Sequence, residues 1–130
     1  MSIVFLIGRV IVGAYYLYNG VNHFLKFSSL VEYAKFKGVQ APEVAVAGSG
    51  LLLLIAGFTL LLGFHPEVGV AALVLFFIPV TFMMHNFWAA AAEQKMAETV
   101  NFAKNMALLG SALMFLRIAK PWPLSLSRKK

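Results

Sequence analysis

Residues 44–88 read VAVAGSGLLLLIAGFTLLLGFHPEVGVAALVLFFIPVTFMMHNFW, two apolar runs divided by one short turn. The runs, Val44–Gly63 and Val68–Trp88, each reach the roughly 20 residues that cross a bilayer's hydrocarbon at about 1.5 Å rise per residue. Lipid offers backbone N–H and C=O groups no partner, so each run must be a helix that satisfies its own hydrogen bonds. The turn Gly63-Phe64-His65-Pro66-Glu67 has room only for an antiparallel hairpin. Outward from it, Ile3–Val21 forms a run on one side and about Asn101–Leu116 forms another on the other. The expected fold class is therefore all-α: an integral membrane antiparallel four-helix bundle. It forms a single domain of residues 1–120, followed by a basic C-terminal tail, residues 121–130.

Composition agrees with that reading. Apolar residues make up 61% of the 130-residue chain and charged residues 12%, about half the share in a soluble domain. The net charge of +6 resides mostly at helix ends and in the tail, which points to anionic lipid and not to nucleic acid. Cysteine is absent, which excludes thiol–disulfide chemistry and thiolate metal sites. Arg9 interrupts the first run with no basic segment before it, so that run reads as a span and not a cleaved leader.

Between the first two spans, Ser29-Leu30-Val31-Glu32 has capping-box spacing, and Leu30–Lys37 is expected as a short helix in the interface, stopped by Gly38. Pro42 and Glu43 suit a helix start, proline at the tolerated first position and a carboxylate at the positive end of the dipole. Gly48, Gly50 and Gly57 give the second span a smooth side for a neighbour. Pro79 should bend the third span by removing the bond to the Leu75 carbonyl. Ala89–Glu98 reads as a linker to the fourth span, with an extension of the third over much of it as the alternative. In the fourth span Ala103, Ala107 and Ser111 repeat at four-residue spacing as a packing face.

The polar residues carry the functional signal. Asn19, Asn22 and His23 end the first span, His85, Asn86 and Trp88 end the third, and Asn101, Lys104 and Asn105 open the fourth. An up-down bundle brings these ends to one membrane face, and polar groups held in lipid usually mark a site or pathway. His23, His85, Asn86, Trp88, Asn101 and Asn105 are the candidate cofactor-binding residues. Tyr16 and Asn19 are candidate substrate contacts, with Tyr15, Tyr18, Phe76, Phe77, Phe82 and Phe87 as possible aromatic walls. His23 and His85 also admit axial ligation of haem b as a minor alternative. No other metal site and no catalytic residue is legible. Arg9 lies toward the opposite face, where it either pairs with Glu67 or reaches lipid phosphate.

Three stretches resemble the DoxX family: Gly8-Arg9 with Gly13 and then Tyr18-Asn19-Gly20-Val21-Asn22-His23-Phe24; His85-Asn86-Phe87-Trp88; and Asn101-Phe102-Ala103-Lys104-Asn105-Met106-Ala107-Leu108-Leu109-Gly110. The resemblance implies a four-helix protein of the prokaryotic inner membrane linked to quinone-dependent oxidoreductases, thiosulfate:quinone oxidoreductase systems among them. The expected role is a membrane subunit that binds quinone in the His/Asn/Trp layer, with a redox protein partner or a second copy of itself. The competing reading is a non-enzymatic accessory, assembly or small-solute membrane protein whose polar layer is structural. Basic residues on the terminal side slightly outnumber those on the other, which places both termini in the cytoplasm under the positive-inside rule.

Overall fold

Five helices follow one another in the computed structural model, which describes residues 3–127: α1 (Ile3–Leu25), α2 (Phe27–Phe36), α3 (Pro42–Leu62), α4 (Pro66–Met84) and α5 (Ala92–Met114). Tight 3-10 turns occupy Phe87–Ala89 and Phe115–Arg117. The four long helices form the expected all-α antiparallel bundle, with α2 as the short helix between the first two spans. By length and composition α1, α3 and α4 are able to cross a membrane. Helix α5 is as long as α1 but carries Glu93, Lys95 and Glu98 in its first half and Lys104 just past its middle, so its apolar part lies toward Met114.

Helix α3 is central. It packs against α1, α2 and α4, and α5 packs against α4. Glycine sets the closest of these approaches. A Cβ on Gly13 would come within 2.7 Å of Leu61, one on Gly20 within 2.8 Å of Leu54, and one on Gly57 within 2.6 Å of Leu17. Backbones this near gain dispersion contacts that a lipid chain does not match. Gly50 meets His23 in the same seam, whereas Gly48 faces open space and has no packing role.

The hairpin turn follows from its residues. Gly63 takes a left-handed conformation (φ 63°), and the Phe64 N–H reaches the Thr59 carbonyl at 3.0 Å, closing α3 with a C-terminal cap. Pro42 and Pro66 each open a helix where the missing N–H goes unneeded.

Several local expectations are corrected. Helix α1 continues to Leu25, and only Lys26 separates it from α2; the bonds from the Lys26 N–H to Asn22 and from the Leu30 N–H to Lys26 nearly continue the ladder. Ser29 therefore lies inside a helix, where its hydroxyl donates to the Lys26 carbonyl, and the capping box with Glu32 does not form. Most of the presumed linker 89–98 is the first part of α5. The buried residues of α5 are Glu98, Asn105 and Ala112, each seven after the last, while Ala103 and Ala107 point outward.

The chain end is part of the bundle. Trp122 is 3% exposed and stands edge-on to Phe5 at 5.1 Å. The Leu126 N–H donates to Leu62 and the Ser127 hydroxyl to Gly63. Of the expected tail, residues 121–127 are thus packed down, and Arg128, Lys129 and Lys130 lie outside the described residues.

The proposed Arg9–Glu67 pair is absent. Arg9 is 2% exposed and donates to the carbonyls of Pro123 (2.7 Å) and Leu124 (3.3 Å), beneath Trp122. It does not snorkel either. Glu67 stands at the exposed start of α4, out of that interior, and takes Lys120 and His65 as partners.

Gly57→Ala should destabilise the bundle by about 1–3 kcal/mol through overpacking. Gly48→Ala should leave stability equal or slightly raised. Thermal unfolding of both variants in one detergent checks the pair; equal melting points would mean the α1–α3 seam is not a tight contact.

Candidate functional site

At the end of the bundle away from Arg9, α1 finishes, α4 finishes and α5 begins. Glu98 is the centre of this layer, 6% exposed. One carboxylate oxygen accepts from His85 Nδ1 at 2.8 Å. The other accepts from the Tyr33 hydroxyl at 2.8 Å and lies 3.5 Å from Lys37 Nζ. Lys37 also donates to the Asn86 side-chain oxygen at 3.2 Å. A buried carboxylate is tolerable only with such partners. Burial, and then the Glu98 carboxylate, push the Tyr33 phenol up to about 12, so it remains a protonated donor.

Sequence reasoning missed Glu98 and Tyr33. The available signal was the seven-residue spacing from Glu98 to Asn105, which puts both on one helical face.

Below this cluster lies a cavity of about 440 Å³. Helix α1 contributes Tyr15, Tyr16, Asn19 and His23, α2 contributes Tyr33, α3 contributes Val46, Ser49 and Leu53, and α4 contributes Phe76, Phe77 and Pro79, with His85, Lys104 and Asn105 at the polar end. Pro79 leaves the Leu75 carbonyl without its helical donor, and both residues line this wall.

Two histidines line the cavity, and each is held through its Nδ1. His23 Nδ1 lies 2.8 Å from the Asn19 carbonyl, and His85 Nδ1 is held by Glu98. In each ring Nε2 remains for another partner. Tyr16 is fully buried, and its hydroxyl has no hydrogen-bond partner. Asn105 is 5% exposed. The walls are flat: Phe76 stands edge-on to Phe77 at 5.1 Å and to His23 at 6.1 Å.

The cavity thus brings together His23, His85, Asn105, Asn19 and Tyr16 from three sequence-distant segments. Asn86, Trp88 and Asn101 do not line it. Asn86 is occupied by Lys37, and Asn101 accepts from Lys104 at 3.5 Å. Trp88 is 55% exposed and belongs to a separate aromatic group with Phe82, Phe87 and Phe102. Those rings, with exposed Tyr18, suit the membrane interface.

The family model described as DoxX matches residues 4–86, which takes in α1 through α4 and His85. The chain belongs to the DoxX family. Inner membrane protein YphA of Escherichia coli (strain K12) is 23% identical over 127 residues, covering 98% of this chain and 90% of that protein. No solved structure matches the chain. With three spans of sufficient length and apolarity, this DoxX member is a membrane protein. Helix α5, which supplies Lys104 and Asn105 to the cavity and carries Glu98, lies beyond the residues matched to the DoxX model.

Glu98→Ala would strand Lys37 and His85 without their counter-charge and should destabilise the protein by about 3 kcal/mol, the range for breaking a buried ion pair. Additional Lys37→Met should recover part of the loss. A double-mutant cycle read by thermal unfolding checks this, and additive losses would show that the two groups do not interact.

Proposed function

We propose that the cavity receives the ring of a quinone-class lipid and that the protein is the membrane subunit of a quinone-linked redox system in the prokaryotic inner membrane. One observation carries the reading: a buried, partnerless Tyr16 hydroxyl in an aromatic-walled cavity that two histidines also line. A para-quinone ring is flat and apolar, with polar oxygens at opposite ends, and sites for such ligands are mainly apolar with a few convergent polar groups. Polar groups from α1 and from α4–α5 lie on different walls, suited to contacting both oxygens. A ligand with an isoprenoid tail would reach the site from the lipid phase.

The chain's own residues supply binding and proton contacts but no electron carrier, so electron transfer would fall to a redox partner protein. The basic-residue balance favours both termini on the cytoplasmic side.

The second reading is structural, and the Glu98 network supports it, because that network by itself ties α2, α4 and α5 together. His85→Ala separates the two. It removes a partner of Glu98, so the melting temperature should fall under either reading. If the cavity binds quinone, affinity should also fall about ten- to a hundredfold, the worth of a charge-assisted hydrogen bond. Anaerobic titration of the purified protein with a short-chain ubiquinol, the hydroxyl-bearing form, measures this. Unchanged affinity in a destabilised mutant would decide for the structural role.

A further inference from the structure

We propose that the cavity is built for the reduced, hydroxyl-bearing form of its ligand, with His85 accepting the ligand's proton and Glu98 as the positioning residue for that acceptor. The proposal rests on the quinone-class reading above and specifies which form the site prefers. It starts from what each hydrogen bond permits. A carbonyl oxygen only accepts, so the proton between His23 and Asn19 belongs to His23 Nδ1. A carboxylate likewise only accepts, so His85 Nδ1 carries the proton shared with Glu98. In a neutral imidazole the other nitrogen is then a lone-pair acceptor. Both histidines therefore offer Nε2 as an acceptor to whatever fills the cavity.

Two acceptors call for a ligand with two donors. A hydroquinone has an O–H at each end of its ring. The oxidised quinone has none, and would set lone pair against lone pair. The remaining groups do not reverse this preference. The Tyr16 hydroxyl rotates to donate or accept, and the Asn105 amide does both. Lys104, the cation among the lining residues, is turned to Asn101.

The two histidines differ in what stands behind them. His23 has a neutral carbonyl behind its ring, whereas His85 has the Glu98 carboxylate, itself held by Tyr33 of α2 and by Lys37 just after it. A proton arriving on His85 gives an imidazolium beside a carboxylate, the better stabilised of the two outcomes. In that step a ligand O–H bond breaks, an N–H bond forms at His85 Nε2, and the electron pair stays on the oxygen. No oxidant enters.

Two measurements on the full chain in detergent test this. The first uses ligand-free protein with ¹⁵N-labelled histidine near pH 8, the His85 signals being assigned by their loss in His85→Ala. The wild type should show His85 protonated at Nδ1. Glu98→Gln should shift the ring toward the Nε2–H tautomer, and Glu98→Asp should restore it. An unchanged tautomer in Glu98→Gln overturns the positioning role.

The second compares anaerobic binding of tetramethylhydroquinone, its dimethyl ether, which has no O–H, and tetramethylquinone. Near pH 8 the hydroquinone should bind at least about tenfold tighter than either other probe, the loss expected when hydrogen bonds go unmade. Equal or tighter binding of the quinone near pH 8 overturns the proposal but leaves the quinone-class reading standing. Failure of all three probes to bind overturns both.

Discussion

Glu98 is the group on which the polar end of this protein depends, because a carboxylate buried among apolar helices must find its partners or forfeit its charge. It finds three of them on two other segments: His85 after α4, and Tyr33 and Lys37 on or beside α2. Two further bonds, from Tyr33 to the Met84 carbonyl and from Lys37 to Asn86, join the same segments, so the carboxylate and its partners together fix how the short helix sits over the mouth of the bundle. It also fixes the ring of His85, and with it which nitrogen faces the cavity. The lipid-facing part of the protein is held by close packing; this end is held by charge.

The remainder of the cavity follows from a division of labour between helices. Glycine lets α1 lie directly against α3, so their side chains fill little of the space between them. Helix α5 instead packs on α4, and the far end is closed toward α1 by Phe115 and Trp122, which follow α5 and stand against Phe5. Between the two, with Pro79 interrupting the ladder of α4, room remains for a ligand. The void is therefore a product of helix pairing and does not come from loose packing.

Much of this was legible in the sequence, and the reasons for the rest are physical. Apolar runs report spans because lipid forbids irregular backbone, and Pro42, Gly63 and Pro66 mark helix ends through their own conformational limits. The meeting of His23, His85 and Asn105 followed from topology alone. Glu98 escaped because hydropathy counts a charge as a reason to leave the membrane and does not register partners supplied by other segments. The start of α5 at Ala92 escaped with it. Ser29 misled because a capping box needs a free helix end, and α1 nearly runs into α2. Arg9 was paired wrongly for a different reason. Its acceptors are backbone carbonyls, which every residue has and no sequence pattern marks.

That last contact has a consequence for how the protein is made. Arg9 lies in the second turn of the first span, and its nearest acceptor, the Pro123 carbonyl, is translated 114 residues later. Throughout synthesis the guanidinium therefore waits at the membrane with its final partner still on or inside the ribosome. Insertion of the first helix must proceed with that charge hydrated or resting on lipid phosphate. Only when the last segment folds back does it become buried. A nascent chain interrupted before Pro123 would leave the first helix with a cation whose final acceptors never arrive.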